Sequence, residues 1–95
     1  MAAKLLLDRK HIFEDGSIAQ LVIWQLPQKS QERPYGLKYR LYYGDSRGNC
    51  LVRYDNEAGK GDHKYIEDRE LAYQFVDIDT LLKDFQRDIR RCQKK

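Results

Sequence analysis

The sequence predicts an α+β fold, an antiparallel sheet of about five strands with one C-terminal helix packed on one face, in a single domain over residues 1–95. Three features carry that expectation. Apolar and polar residues alternate at a period of two through 37–43, an Asp15-Gly16 pair separates two extended runs, and apolar residues recur at three- and four-residue steps between 78 and 92.

Ala3 to Phe13 begins extended, and Glu14-Asp15-Gly16-Ser17 supplies the positive φ angles of a tight hairpin. Ile18 to Leu26 forms the second strand. Its stretch Leu21-Val22-Ile23-Trp24 is apolar on both faces, as suits a strand central to a sheet or covered on both sides, and Pro27 stops it. Residues 28–34 are a polar connection. From 37 to 43, Leu37, Tyr39, Leu41 and Tyr43 share one face, and Lys38, Arg40 and Tyr42 the other. The second face is cationic and aromatic together. After the turn formers of 44–49, Cys50 to Asp55 returns antiparallel, with Val52 and Tyr54 on one side and Arg53 and Asp55 on the other. Lys64 to Ile66 and Leu71 to Val76 form a last strand pair around Glu67-Asp68-Arg69-Glu70, with Leu71, Tyr73 and Phe75 alternating toward the core.

Ile78, Leu81, Leu82, Phe85, Ile89 and Cys92 make one apolar helical stripe, with Lys83, Asp84, Arg87, Asp88 and Arg91 facing away. Asp77 is placed to cap the helix start, and Arg90, Arg91, Lys94 and Lys95 complement the negative end of its dipole. Burying each large stripe residue contributes ~1.5–3 kcal/mol, so the stripe needs a sheet beneath it.

Ninety-five residues are enough for one core but exclude a two-domain enzyme. No apolar run approaches the ~20 residues that span a bilayer, and Leu5-Leu6-Leu7 is too short for the apolar region of a signal peptide, so the chain reads as cytoplasmic, without a membrane role. Cys50 and Cys92 have no zinc-site spacing and read as small buried fillers rather than a bridge. The net charge of +3 hides a pattern: residues 29–53 carry six Lys/Arg against two acids, residues 83–95 again six against two, and residues 54–70 three against six. Two basic zones flanking an acidic loop suit a phosphate-bearing ligand, although an ordinary solvated surface has the same signature.

Residues 53–65 concentrate the chemistry, with a histidine, cations, tyrosines and carboxylates around glycines. His63 is the natural general acid or base, Asp62 or Asp55 can orient its ring, and Lys60, Lys64 or Arg53 can stabilise charge on a phosphoryl oxygen. Tyr54, Tyr65, Lys64 or water would move the second proton. These parts fit a metal-free RNA cleavage better than acyl transfer, because neither serine nor cysteine lies beside the histidine. Two plainer readings stand beside it: a solvated polar turn, and Asp55, Asp62 and His63 around a divalent metal. Lys38, Arg40 and Tyr42, with Arg53, would hold a single-stranded backbone on the open sheet face.

Val52-Arg53-Tyr54-Asp55-Asn56-Glu57, followed by Gly59-Lys60-Gly61-Asp62-His63-Lys64, Tyr73-Gln74-Phe75 and Leu81-Leu82-Lys83-Asp84-Phe85, resembles the TumE-type toxin family of toxin–antitoxin modules. Phe13, Asp15-Gly16, Ile23-Trp24 and Lys38-Tyr39-Arg40-Leu41 also suit its pattern, so the similarity covers nearly the whole chain. That pattern often places a second histidine two positions after the first, where this chain has Tyr65. The resemblance implies a growth inhibitor neutralised by a cognate antitoxin, with translation or RNA as its target. On this reading the catalytic group is His63, Lys60, Asp62, Arg53 and Tyr65, the nucleic-acid contacts are Lys38, Arg40, Tyr42 and Lys64, and no cofactor or metal is expected. A non-catalytic nucleic-acid- or antitoxin-binding module and a nucleotidyltransferase remain the alternatives, and exposed sheet edges allow a homodimer.

Overall fold

The computed structural model describes residues 2–31, 33–56 and 61–94. Its strands are β1 (Lys4–Ile12), β2 (Ile18–Gln25), β3 (Leu37–Gly44), β4 (Cys50–Asp55), β5 (His63–Ile66) and β6 (Arg69–Ala72), followed by the helix α1 (Ile78–Gln93). The strands lie side by side in chain order, each antiparallel to its neighbour, so the architecture is the expected α+β sheet with six strands in place of about five.

The Asp15-Gly16 hairpin forms as expected. Gly16 sits at φ +86°, the Phe13 N–H donates to the Ser17 carbonyl, and Asp15 accepts from both the backbone N–H and the hydroxyl of Ser17. β5 and β6 turn more tightly than the sequence suggests. Ile66 pairs with Arg69, leaving only Glu67 and Asp68 in the turn, and Glu67 takes the left-handed φ of 57°. β6 therefore ends at Ala72. Leu71 is exposed rather than part of the core, because it lies on the sheet's last strand, whereas α1 packs over β4. Tyr73 and Phe75 do turn inward beyond the strand end: the Tyr73 ring meets Tyr54 edge-on and Phe75 stacks on Tyr39.

Cross-strand partners project from the same side of a sheet, so the register defines two faces. On one, Ile23, Tyr39, Leu41, Tyr43, Val52 and Tyr54 are buried and meet Leu81, Phe85 and Ile89 of α1. Asp77 caps the helix by accepting from the Thr80 N–H at 2.7 Å. One helical expectation fails. Asp88 does not face away but is buried at 4% exposure, where it accepts a short hydrogen bond from the Tyr54 hydroxyl and pairs with Lys64 Nζ at 3.1 Å. A carboxylate is tolerated there because a cation and a phenol satisfy it.

Among the described residues no helix lies over the other face. Lys38, Arg40 and Tyr42 of β3 lie there with Arg53 and Asp55 of β4, His63 and Tyr65 of β5, and Gln20, Val22 and Trp24 of β2. No helix among the described residues is long and apolar enough to cross a membrane.

Candidate functional site

The Tyr54-Asp55-Asn56 run feeds three different parts of the molecule because strand side chains alternate. Tyr54 points into the core toward Asp88. Asp55 points to the open face. Asn56, just past the strand end and buried, accepts from the Tyr39 N–H at 3.0 Å and donates to the Leu37 carbonyl at 2.7 Å. Its amide thereby continues the β3–β4 ladder by one side chain and holds the start of β3 in place.

Asp55 is the hub. Its two strand partners are Arg40 on β3 and His63 on β5, so the three side chains form one row across the sheet. Asp55 Oδ1 stands 2.7 Å from His63 Nε2, and Oδ2 stands 3.2 Å from Arg53 Nε. These contacts are close but not in line: Arg53 Nε, Asp55 Oδ1 and His63 Nε2 are buried without an aligned hydrogen bond among the described residues. The other ring nitrogen of His63, Nδ1, lies 3.0 Å from the Gly61 carbonyl, which can only accept, so Nδ1 carries the hydrogen. That leaves Nε2 facing the Asp55 carboxylate.

The next row along the sheet is Tyr42, Arg53 and Tyr65. The Arg53 guanidinium lies 4.2 Å from the Tyr65 ring centroid, and the Tyr65 ring meets His63 edge-on at 5.2 Å. Its hydroxyl donates to Glu70 at 3.1 Å. Tyr42 lies along the sheet rather than upright. A Cβ at Gly44 would come within 2.7 Å of its ring carbon Cζ, so the glycine makes room for the phenol.

An open pocket of about 410 Å³ lies beside the hub, lined by Arg33, Lys38, Tyr39, Arg40, Arg53, Asp55 and Asn56. Among the described residues lining it, four cations stand against one carboxylate. Arg33 comes from the connection between β2 and β3, and its Nε is buried without a hydrogen-bond partner among the described residues. A second hollow, lined by Asp8, Arg9, Lys10, Gln20, Val22, Arg40 and Tyr42, continues the same face toward β1.

The sequence-level site residues therefore divide. His63, Arg53, Tyr65, Lys38, Arg40 and Tyr42 share the open face. Asp62 does not orient His63; it accepts from the Tyr39 hydroxyl at 2.8 Å, and Asp55 takes the orienting place. Lys64 projects to the opposite face, onto Asp88 and the Tyr54 hydroxyl, because His63 is the first residue of β5 and its successor must point the other way. Lys60 lies outside the described residues. Asp55, Asp62 and His63 do not gather as a metal cluster, and no group of three His, Cys, Asp or Glu side chains suited to one occurs among the described residues. Arg33 and Trp24 escaped the sequence reading. Arg33 sits in a connection without periodicity, whereas Trp24 is only two residues from Val22, whose side the alternation of β2 assigns to the open face.

Burial raises the Tyr39 phenol well above its ordinary value, and the Asp62 carboxylate adds to the effect; Tyr54 and Tyr73 are raised by burial and then by Asp88 and Asp84. These phenols stay protonated and donate to Asp62, Asp88 and Asp84, the last two on α1 behind the sheet.

A family model described as Toxin TumE matches residues 2–93. No curated protein and no solved structure matches the chain.

Proposed function

The chain belongs to the TumE toxin family, and from that premise we propose that it inhibits growth as the toxin of a toxin–antitoxin pair by cleaving RNA on the open face of its sheet. The observation that carries this reading is the convergence of Arg33, Lys38, Arg40 and Arg53 on one pocket whose wall also holds Asp55, backed by His63. Guanidinium groups bind phosphate oxygens in a fixed fork, and a sheet face with aromatic residues among its cations suits an unpaired strand whose bases stack. Trp24, Tyr42 and Tyr65 supply the aromatic surfaces.

In this mechanism the 2′-oxygen of the ribose attacks the adjacent phosphorus, the bond to the 5′-oxygen breaks, and a cyclic phosphate remains. Asp55 takes the 2′-hydroxyl proton, and His63 behind it holds the carboxylate in place and shares the proton. Arg53 and Arg40 offset the charge that builds on the phosphoryl oxygens, an effect of several kcal/mol per well-placed donor. Water supplies the proton for the departing 5′-oxygen. His63 is thus a positioning residue rather than the group that meets the substrate.

Incubation of the purified protein with end-labelled single-stranded RNA, with and without chelator, tests the proposal. Chelator-resistant fragments ending in cyclic phosphate are expected, with a loss of at least a hundredfold for Asp55→Asn and a shifted pH profile for His63→Gln. Growth inhibition by His63→Ala equal to the parent's would remove the histidine from the mechanism. A second reading is favoured by the burial of His63, whose Nδ1 lies against the Gly61 carbonyl and whose Nε2 lies against the Asp55 carboxylate: a face that only binds RNA. Salt-sensitive retention of RNA without fragments would select it.

A further inference from the structure

Behind the sheet, α1 leaves room for one more helix. The helix packs over β4 near the middle of the sheet, and β1 and β2 extend beyond it on the same face. Strands are spaced about 4.8 Å apart and packed helices about 8–10 Å, so a helix lying beside α1 would sit about two strands away, directly over β2. A groove of about 310 Å³ is found at that place. Ala19 and Leu21 of β2 form its floor, Phe85 and Ile89 of α1 one wall, and Phe13 of β1 the other. The small side chain at Ala19 allows a close approach. The rim is basic: Arg90 stands on the helix side and His11 on the strand side, and none of the described residues lining the groove is acidic.

We propose that this groove is where the antitoxin docks, through an amphipathic helix that lays an apolar stripe on the half-buried Phe13 and Leu21, over the buried Ala19, Phe85 and Ile89, and directs flanking acids to Arg90. Charge complementarity selects the occupant. A second copy of α1 would bring its own Arg90, Arg91 and Lys94 against a basic rim, and its apolar stripe is already committed to its own sheet. The site lies on the side opposite the proposed RNA face and does not depend on that reading.

The test uses the protein that restores growth when co-expressed with this chain, and titrates it calorimetrically into the parent and two variants. Arg90→Glu, on an exposed position of the last helical turn, is expected to keep a cooperative melt and its RNA affinity while weakening antitoxin binding at least tenfold. Leu21→Gln should weaken it similarly, and Arg40→Glu on the other face should leave it unchanged. Unaltered binding by Arg90→Glu overturns the proposal, as does loss of binding through Arg40→Glu instead, which would move the antitoxin to the open face. A toxin that sediments alone as a dimer and is made monomeric by Arg90→Glu would assign the groove to a second copy and also overturn it.

Discussion

Removing the Asp88 carboxylate probes how helix and sheet are joined beneath the site. In the folded chain Asp88 is nearly sealed from water and meets the Tyr54 hydroxyl, Lys64 Nζ at 3.1 Å and Arg87 Nε at 3.6 Å. Asp88→Ala leaves Lys64, whose side chain is 17% exposed, with the Tyr54 hydroxyl at 3.4 Å as its hydrogen-bond partner. Breaking a buried pair by deleting one partner costs about 3–5 kcal/mol, and the partial exposure of Lys64 puts the expectation near the lower end, about 3 kcal/mol. For a domain of this size each kcal/mol shifts the melting temperature by roughly 4–8 °C, so the variant should melt roughly 12–24 °C lower. Urea unfolding followed by circular dichroism gives the free energy directly, with an unchanged slope if both end states are preserved. Replacing the three together by Tyr54→Phe, Lys64→Met and Asp88→Leu should recover most of that loss, because the phenol, ammonium and carboxylate leave together and Arg87 keeps Asp84. A single Asp88→Ala variant within about 0.5 kcal/mol of the parent would refute the reasoning, since the carboxylate would then join nothing of consequence.

Phe85 is 1% exposed and meets the Tyr54 ring edge-on, so Phe85→Ala should cost about 3–5 kcal/mol and Phe85→Asp should abolish the cooperative melt. A Phe85→Asp protein that melts like the parent would contradict the helix-on-sheet packing. The raised phenols of Tyr39, Tyr54 and Tyr73 mean that the folded chain holds these protons more tightly than the unfolded chain, whose tyrosines titrate at about 10. Their contribution to stability is complete below about pH 10 and falls as the pH rises beyond it; the tyrosinate absorbance of these three should therefore appear together with unfolding, and a melting temperature constant to about pH 11.5 would contradict this. Asp15, Asp45 and Asp77 are held below the ordinary carboxylate range, first by hydrogen bonds from Ser17, Asn49 and Thr80 respectively, so stability present above about pH 4 should decline as the pH falls through their folded values. An acid limb that Asp77→Asn leaves wholly unchanged would remove the helix cap from that account.

Much of this architecture is legible in the chain because its signals are periodic. The two-residue alternation of 37–43 assigns Lys38, Arg40 and Tyr42 to one face, and the helical stripe needs nothing beyond spacing. Asp88 was misplaced although it lies three residues after Phe85 and seven after Leu81, on the stripe itself; its polarity spoke louder than its position. Lys64 leaves the His63 face because His63 already belongs to β5 and its successor points the other way, whereas the sequence places His63 in the loop before the strand, where no alternation applies. Asp55 was legible as a candidate to orient His63, but its central place was not, because it arises from Arg40 and His63 meeting it from two neighbouring strands. Arg33 reaches the pocket from a connection that carries no repeating pattern, so only the folded chain brings it there.

Trp24 is the only tryptophan, and it stands on the open face opposite Lys38, which makes its fluorescence a direct reporter of what binds there. Titration with single-stranded RNA across a range of salt concentrations should quench the emission, with a log–log slope of roughly −2 to −3 for three or four phosphate contacts, and Arg40→Ala should lower that slope by about 0.7 in magnitude. Emission indifferent to RNA, or a slope unchanged in both Arg40→Ala and Arg53→Ala, would contradict the assignment of this face to RNA.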